Sequence, residues 1–192
     1  MPVGFRFTSA DLECFPEFPG VRYEIIDGEL YVSTQPQEGH QYACSEVCFA
    51  LVHWSKETGA GFAYFAPGLV FAEDQNAAPD VIWISRARRL EALDEGGHFR
   101  LAPELVVEVL SPGRANEVRD REIKLSLYQR KGVQEYWIVD WQARIVQIYR
   151  RQGTDLVLAE TLASEDSLTS PMLPGFSCPV AGLWSPIALL EG

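Results

Sequence analysis

Hydrophobic and polar residues alternate in short blocks along this chain, and the spacing within each block predicts its secondary structure. The segment 23–32 contains two β-prone runs joined by Asp27-Gly28, a dipeptide favoured in tight turns, which predicts a β-hairpin. In the following segment, apolar residues recur at intervals of three and four, which predicts a helix that ends near Gly59. His40 falls on the apolar stripe of this helix, so we expect its side chain to face inward.

The middle of the chain is rich in predicted strands. Residues 61–65 and 69–71 flank a Pro-Gly turn, and residues 81–84 read as a strand entered through Pro79. Residues 105–110 are apolar on both faces, as expected for a strand at the centre of a sheet that is covered on both sides.

The second half of the chain adds one helix and two strands. We predict a helix over 116–131 that stops at Gly132, strands over 134–140 and 143–149, and a tail from residue 170 that packs over the core. The order of elements predicts an α/β (mixed α+β) fold, with a mixed central β-sheet flanked by helices and an N-terminal β-hairpin.

Length and composition limit the class of protein. A chain of 192 residues has the usual size of one globular domain, so we expect residues 1–192 to form a single domain. With 47% hydrophobic and 22% charged residues, the chain is not of the disordered class. No apolar run approaches the roughly 20 residues that a membrane-spanning helix requires, and the N-terminus lacks an apolar signal core. We therefore expect a cytoplasmic protein that does not bind membranes.

The charge is unevenly distributed. A net charge of −11 argues against a protein that coats nucleic acid by bulk attraction, because such binding depends on many contacts between basic residues and phosphates. Residues 81–151, however, contain 13 basic and 10 acidic residues. A locally basic segment is compatible with a phosphate-bearing ligand and equally with a mixed solvated surface, so charge alone does not decide.

The four cysteines predict neither a disulfide scaffold nor a zinc ribbon, because they are few and form no CxxC pair. His40, Cys44, Cys48 and His53 do have metal-ligating side chains at helical spacing. Ligands at i, i+4 and i+8 on one straight helix nevertheless span roughly 12 Å at ~1.5 Å per residue, too far for one tetrahedral ion. We therefore predict reduced thiols and reject a zinc site made by these four residues.

Two carboxylates lie where burial is costly. Glu108 is inside the apolar strand 105–110, where an ionised side chain costs several kcal/mol unless a metal or cation accompanies it. Asp80 lies at the mouth of the strand 81–84. If the two strands are neighbours, these carboxylates make a good site for a hard cation such as Mg²⁺. The structural alternatives are a buried salt bridge for Glu108 and a turn or strand-cap role for Asp80.

One lysine of the predicted helix 116–131 faces inward. At about 100° per residue, a hydrophilic arc contains Arg119, Glu122, Ser126, Gln129 and Arg130. Lys124 and Tyr128 lie opposite this arc, and Tyr128 is interpreted as a packing residue. The buried ammonium needs an anion, which Glu108 can supply. Alternatively, Lys124 extends to solvent or pairs with Asp120 one turn earlier.

Glu24 and His40 each allow two interpretations. Glu24, in the first strand of the hairpin, is either an outward-facing strand residue or part of a site. His40 is either a hydrogen-bonded core histidine or a catalytic one.

Six segments together resemble a known family. They are YEIIDGEL at 23–30, a histidine at 40, APDVIWIS at 78–85, PELVVEVLSP at 103–112, RDREIKLSLYQRKGVQEYWIVD at 119–140 and LPGFSCPV at 173–180. In this order they resemble the bacterial Uma-two family of predicted restriction endonucleases, which belongs to the PD-(D/E)XK nuclease superfamily. The resemblance covers about residues 20–184 and implies a restriction-endonuclease-like fold.

The resemblance also implies a metal site. By it, Asp80 and Glu108 are the two acidic ligands of Mg²⁺, with Mn²⁺ as a substitute, and the Val109 carbonyl is a third ligand. The lysine that the superfamily usually carries two residues after the second acid is absent, because position 110 is leucine. The resemblance assigns that role to Lys124.

Further expectations follow from the family. Glu24 and His40 are expected to be accessory active-site residues, the former positioning metal-bound water. The implied activity is metal-dependent hydrolysis of phosphodiester bonds in DNA, with double-stranded DNA as the partner and a homodimer as the assembly. The basic residues between positions 86 and 151 are then expected to meet the DNA backbone.

Two other functions compete with this one. The first is a non-catalytic module with a nuclease fold that binds nucleic acid or protein, in which Glu108 and Lys124 form only a buried ion pair. The second is a glycosidase with two carboxylates, which is disfavoured because Lys124 has no task there and no aromatic sugar platform is evident.

Overall fold

The computed structural model describes residues 5–16, 18–34 and 36–186. Its α-helices are α1 (Ser9–Leu12), α2 (Glu38–Thr58), α3 (Arg86–Ala92), α4 (Arg114–Val118) and α5 (Leu125–Lys131). A π-helical segment, Arg119–Lys124, joins α4 to α5, and a 3₁₀-helix covers Val180–Leu183. Within the described residues, no helix combines the length and the apolar character needed to cross a membrane.

The strands are β1 (Arg22–Ile26), β2 (Glu29–Ser33), β3 (Gly61–Phe65), β4 (Leu69–Ala72), β5 (Gln75–Ala77), β6 (Val81–Ser85), β7 (Leu105–Val109), β8 (Glu135–Asp140), β9 (Ile145–Gln152), β10 (Asp155–Leu162), β11 (Ser167–Leu168) and β12 (Cys178–Pro179). A six-stranded sheet has the order β10-β9-β8-β7-β6-β3. Strands β7 and β8 are parallel, whereas the other neighbouring pairs of this sheet are antiparallel. The segment α4–α5 connects the parallel pair, as a parallel connection requires. The predicted mixed sheet flanked by helices is therefore confirmed.

A second, four-stranded sheet has the order β2-β1-β5-β4 and contains the predicted hairpin. Asp27 and Gly28 form its turn with φ angles of 51° and 76°, the positive values that a type I′ turn requires. Both strands predicted beside the Pro67-Gly68 turn are present, but in different sheets. The turn therefore connects the two sheets, a change of partner that local sequence patterns do not encode.

Alternate residues of β7 pack on opposite faces of the larger sheet. Val107 and Val109 join the apolar cluster under α2, while Val106 joins the cluster that contains Tyr128 of α5. Glu108 follows the alternation of Val106, so its side chain points towards the helical segment that contains Lys124. The tail packs back as predicted, since five of its apolar residues are buried in the cluster under α2: Leu173, Phe176, Cys178, Val180 and Leu183.

The helix predicted over 116–131 is present and begins two residues earlier, but its centre is wider than expected. The π-helical segment adds residues to one turn, so the angular positions at its start differ from those of a regular α-helix. Arg119, predicted on the hydrophilic arc, is 7% exposed. Its guanidinium donates to the Asp120 carboxylate and to the Ser33 hydroxyl. The prediction for Arg119 is therefore wrong, and its direction is inward.

Several elements were not predicted, among them β5, α3 and β10. Strand β5 is only three residues long, and α3 is rich in arginine and lacks an extended apolar stripe. Strand β10 forms a long ribbon with β9, and most of its residues are exposed. Each of these elements depends on pairing or docking more than on a buried periodic face.

Candidate active site

The register of the larger sheet brings the two predicted metal ligands together. Strands β6 and β7 are antiparallel, with Val81 opposite Val107. Asp80 precedes Val81 and Glu108 follows Val107, so the two carboxylates are neighbours at this end of the sheet. Both side chains are buried, and both line the same cavity.

Lys124 is the buried cation of this cavity. Its side chain is 2% exposed, and its Nζ lies 2.9 Å from Glu108 Oε1 and 3.0 Å from Glu24 Oε1. Asp120 Oδ1 is further away, at 3.8 Å. Burial lowers the pKa of Lys124, but the charges of Glu108, Glu24 and Asp120 outweigh it and raise the pKa overall. Lys124 therefore carries a positive charge, and its predicted inward direction and contact with Glu108 are confirmed.

Glu108 is held through a single oxygen. Oε1 accepts hydrogen bonds from Lys124 Nζ and from the Tyr128 hydroxyl, the latter at 2.8 Å. Burial raises the pKa of Glu108 to about 8; Lys124 opposes this rise, and the neighbouring acids, Asp80 first among them, add to it. Tyr128, interpreted as a packing residue from the sequence, also orients the carboxylate.

Asp80 is held by three side-chain or backbone partners. Its Oδ2 accepts from the Val109 N–H at 2.9 Å and lies 3.4 Å from His40 Nε2. Its Oδ1 accepts from Arg22 Nη1 at 3.1 Å. Burial raises the pKa of Asp80, but the hydrogen bond and charge of His40, helped by Lys124 and Val109, bring the pKa below its ordinary value.

Glu24 is buried, so its interpretation as an outward-facing strand residue is wrong. Its side chain is 3% exposed, and Oε1 accepts from the Ala78 N–H at 2.8 Å as well as contacting Lys124. This contact links the first strand of the hairpin to the segment that precedes Asp80. Period-two alternation predicts which residues share a face, but which face the core covers depends on how the smaller sheet docks.

His40 lies in the first turn of α2 and is buried as predicted. Its Nε2 faces Asp80, and its Nδ1 lies 3.5 Å from Cys44 Sγ. The ring thus connects a metal-ligand candidate to the next turn of the helix. The structure confirms a buried, hydrogen-bonded histidine that lines the cavity, and its catalytic role stays a prediction.

Several side chains of the site were not predicted. The cavity is also lined by Arg22, Ser33 and Arg119, and Asp120 lies beside Lys124. Arg22 precedes the YEIIDGEL segment directly, and the position of Arg119 in the hydrophilic arc argued against a site role. A signal for Asp120 was its place one turn before Lys124.

The donor set fits a hard divalent cation. Among the described residues, four acids and three cations surround the cavity: Glu24, Asp80, Glu108 and Asp120 against Arg22, Arg119 and Lys124. With all four carboxyls ionised, one negative charge is uncompensated, and the raised pKa of Glu108 reflects this excess. Both hydrogen bonds to Glu108 end on Oε1, which leaves Oε2 for a metal, and carboxylate oxygens are the ligands that Mg²⁺ prefers.

The basic residues of positions 86–151 do not form the single face expected to meet DNA. Arg88 and Arg150 lie at the end of the larger sheet opposite Asp80, where they donate to the Ala102 carbonyl and the Glu135 carboxylate. Arg119 and Lys124 lie at the cavity instead. The segment divides its positive charge between the two ends because its strands run in both directions.

Comparisons with known proteins give a family match and a solved structure of the same fold. The model of the Uma2 family, described as "putative restriction endonuclease", matches residues 9–181. A crystal structure of a putative nuclease belonging to DUF820 from Anabaena variabilis ATCC 29413 has the same fold, with a TM-score of 0.71 and 20% identity over 92% of this chain and 97% of that chain. Comparison with curated proteins gives no match. The family match covers most of the chain, and the protein therefore belongs to the Uma2 family of putative restriction endonucleases.

Proposed function

We propose that this protein is an Mg²⁺-dependent endonuclease that hydrolyses phosphodiester bonds in double-stranded DNA. The observation that carries the proposal is the buried Lys124 ammonium, which lies between Glu24 and Glu108 in the cavity that Asp80 also lines. The family and the related crystal structure support a nuclease, and the donor set supports the metal.

Asp80, Glu108 and the Val109 carbonyl are the proposed ligands of Mg²⁺, and Mn²⁺ is expected to substitute. When bound, the ion polarises the scissile phosphate and lowers the pKa of a coordinated water. Val109 has a second task in this proposal, because its N–H holds Asp80 at the edge of the cavity. A single backbone position then fixes one ligand and supplies another.

The other side chains have separate tasks in this proposal. Lys124 orients the attacking water or stabilises the negative charge that develops on the phosphate, and its fixed position between two carboxylates prepares it for this role. Glu24 helps to position the water. His40 acts through Asp80, whose Oδ2 it faces.

Arg22 and Arg119 are the cations best placed to receive a DNA phosphate. Arg22 is about a third exposed, with 34% of its side chain accessible, and Arg119 lies deeper in the same cavity. Together with Lys124 they place three cations among the acids of the cavity, and a bound metal ion would supply the further positive charge that local phosphate binding requires.

The test is a cleavage assay on supercoiled and linear duplex DNA, with Mg²⁺, Mn²⁺ or EDTA. Asp80→Asn and Lys124→Met are expected to lower cleavage by about 100-fold or more, since each removes a group that stabilises transition-state charge. Glu104→Gln is the matched control: this acid bonds to Ser85 at the other end of β6 and is expected to leave cleavage unchanged.

Three outcomes contradict the proposal. Equal cleavage by wild type and both site variants assigns the activity to a contaminant. Tight DNA binding without cleavage in any metal supports the non-catalytic module. Cleavage of RNA but not of DNA overturns the substrate assignment.

The proposal also includes a homodimer, because cutting both strands of DNA requires two active sites. Light scattering on the purified chain measures the assembly.

A further inference from the structure

A second group of potential metal ligands lies behind Asp80. His40 and Cys44 are four residues apart on α2, so both side chains project from the same face of the helix towards the end of β6. One ligand atom each from His40, Cys44 and Asp80 can be chosen so that all three lie within 4.8 Å of one another, and all three residues are buried. His40, Cys44, Cys48 and His53 were rejected together as a zinc site. The first two of them nevertheless form a different group of ligands with Asp80.

The geometry is close to that of a tetrahedral site with mixed ligands. For Zn–N of ~2.0–2.1 Å and Zn–S of ~2.3 Å, tetrahedral angles separate the nitrogen and sulfur by about 3.5 Å. The observed distance between His40 Nδ1 and Cys44 Sγ is 3.5 Å. His40 Nδ1 and Cys44 Sγ thus supply the first two ligands. Asp80 Oδ2 lies 3.4 Å from the other ring nitrogen, Nε2, so it joins the same ion only after the imidazole or the carboxylate turns.

We propose that His40, Cys44 and Asp80 form a binding site for a borderline-soft divalent cation of the Zn²⁺ class, distinct from the Mg²⁺ site and sharing Asp80 with it. Thiolate and imidazole ligands favour Zn²⁺ over Mg²⁺, whereas Glu108 and the Val109 carbonyl offer oxygen only. Because His40 and Asp80 line the cavity, a fourth position is open to water.

Binding of Zn²⁺ at this site would change the bonds that Cys44, His40 and Asp80 make. The Cys44 S–H bond breaks as the metal–sulfur bond forms, and the proton passes to solvent water. His40 turns from a partner of the Asp80 carboxylate into a fellow ligand. Because Asp80 must turn towards His40 and Cys44 to join this ion, its carboxylate withdraws from Glu108, and we expect Zn²⁺ and Mg²⁺ to exclude each other. If the proposed nuclease function holds, Zn²⁺ is therefore an inhibitor.

Co²⁺ is the probe for the ligand set, because cobalt bound to thiolate gives a charge-transfer absorption that oxygen ligands do not give. Titration of the full chain with Co²⁺ is expected to produce this band with one equivalent. Cys44→Ser is expected to lose the band and to weaken Co²⁺ binding by about 100-fold or more. Cys48→Ser, one turn further along α2 and outside the group, is the matched control and is expected to keep both.

The sharing of Asp80 is tested separately by displacement of Mn²⁺, followed by electron paramagnetic resonance. Zn²⁺ is expected to release bound Mn²⁺ from the wild type, and Cys44→Ser is expected to require about 100-fold more Zn²⁺ for the same release. Thermal unfolding and circular dichroism establish that both cysteine variants are folded.

The outcomes separate this inference from the proposed function. A cobalt–thiolate band that survives in Cys44→Ser, or that is absent from the wild type, overturns the site. Equal Zn²⁺ displacement of Mn²⁺ in wild type and Cys44→Ser overturns the shared ligand. Neither readout requires cleavage, so a protein without nuclease activity that shows both effects retains this site while the nuclease proposal fails.

Discussion

Two buried glutamates on adjacent parallel strands show how a structural carboxylate differs from a candidate catalytic one. Glu135 begins β8 and Glu108 lies near the end of β7, and both side chains are at most 3% exposed. Glu135 accepts from Trp137 Nε1 through Oε2, at 2.9 Å, and from Arg150 Nε through Oε1, at 3.0 Å. Both carboxylate oxygens of Glu135 therefore accept a hydrogen bond, and the charge of Arg150 balances that of Glu135.

Glu108 differs from Glu135 in its hydrogen bonds, in the charges around it and in the cavity beside it. Its two hydrogen bonds share one oxygen, three further acids (Glu24, Asp80 and Asp120) lie around it and Lys124, and a cavity adjoins it. Burial raises the pKa of both glutamates, so burial alone does not distinguish them. The excess of acid beside open space distinguishes Glu108, because only there can a metal ion complete the charge balance.

The largest expected effect is on cleavage. Glu108→Gln removes a proposed metal ligand and is expected to lower the cleavage rate by about 100- to 1000-fold. Glu135→Gln removes an equally buried charge from the neighbouring strand and is expected to stay within about threefold of the wild type, because it touches no residue of the cavity. Rates are measured on one duplex substrate at saturating Mg²⁺. Comparable losses in both variants would mean that burial, not the metal, explains the effect.

The second expected effect is on the free energy of unfolding and concerns Glu135. Replacement of Glu135 by leucine leaves Arg150 Nε and Trp137 Nε1 without their acceptor and is expected to lower the free energy of unfolding by about 1–3 kcal/mol. The measurement is urea denaturation of the metal-free protein. An unchanged transition midpoint would show that Glu135 adds nothing to the fold and would remove the structural half of the comparison.

The parts of this site that the sequence predicts are those fixed by local patterns. Asp80 and Glu108 lie at the ends of two strands with clear apolar runs, so their convergence requires only that β6 and β7 be neighbours. Lys124 and Tyr128 are four residues apart with α5 beginning between them, and their common face survives the π-helical segment. The resemblance to a known family added the metal to this local geometry.

The parts that the sequence does not predict depend on contacts between distant elements. Arg22 and Glu24 reach the cavity because the smaller sheet docks beside the larger one, a placement that no periodicity encodes. Arg119 is at the start of the widened turn, where a wheel of 100° per residue gives the wrong direction. Cys44 lies one turn from His40 and contacts it, a pairing with Asp80 nearby that the spacing of residues on one helix does not predict.

A third effect follows from the raised pKa of Glu108. A carboxyl whose pKa is about 8 in the folded protein and 4.5 as a model value contributes stability below pH 4.5, and this contribution is lost as the pH rises to about 8. Glu108→Gln cannot ionise, so its melting temperature relative to the wild type is expected to rise between pH 5 and pH 8. Differential scanning calorimetry without metal measures this difference.

Addition of Mg²⁺ is the control for this pH effect. The ion binds the ionised carboxylate and stabilises only the protein that keeps it, so the wild type is expected to regain its melting temperature at pH 8 while Glu108→Gln does not. A pH-independent difference between the two proteins would contradict the raised pKa. A gain in both proteins would place the metal away from Glu108.

The smallest expected effect concerns Arg22, which neutralises Asp80 in the metal-free protein. Because the guanidinium is partly exposed, its contact with Asp80 is screened, and the competition with a metal ion amounts to about 0.2–1 kcal/mol. Arg22→Gln is therefore expected to tighten Mn²⁺ binding by roughly 1.4- to fivefold at low salt, with less effect at high salt. Calorimetric titration measures this change, and Arg6→Gln, which removes the exposed ion pair with Asp74, is the matched control. Weaker binding in Arg22→Gln would instead mean that Arg22 holds Asp80 in the orientation that the metal requires.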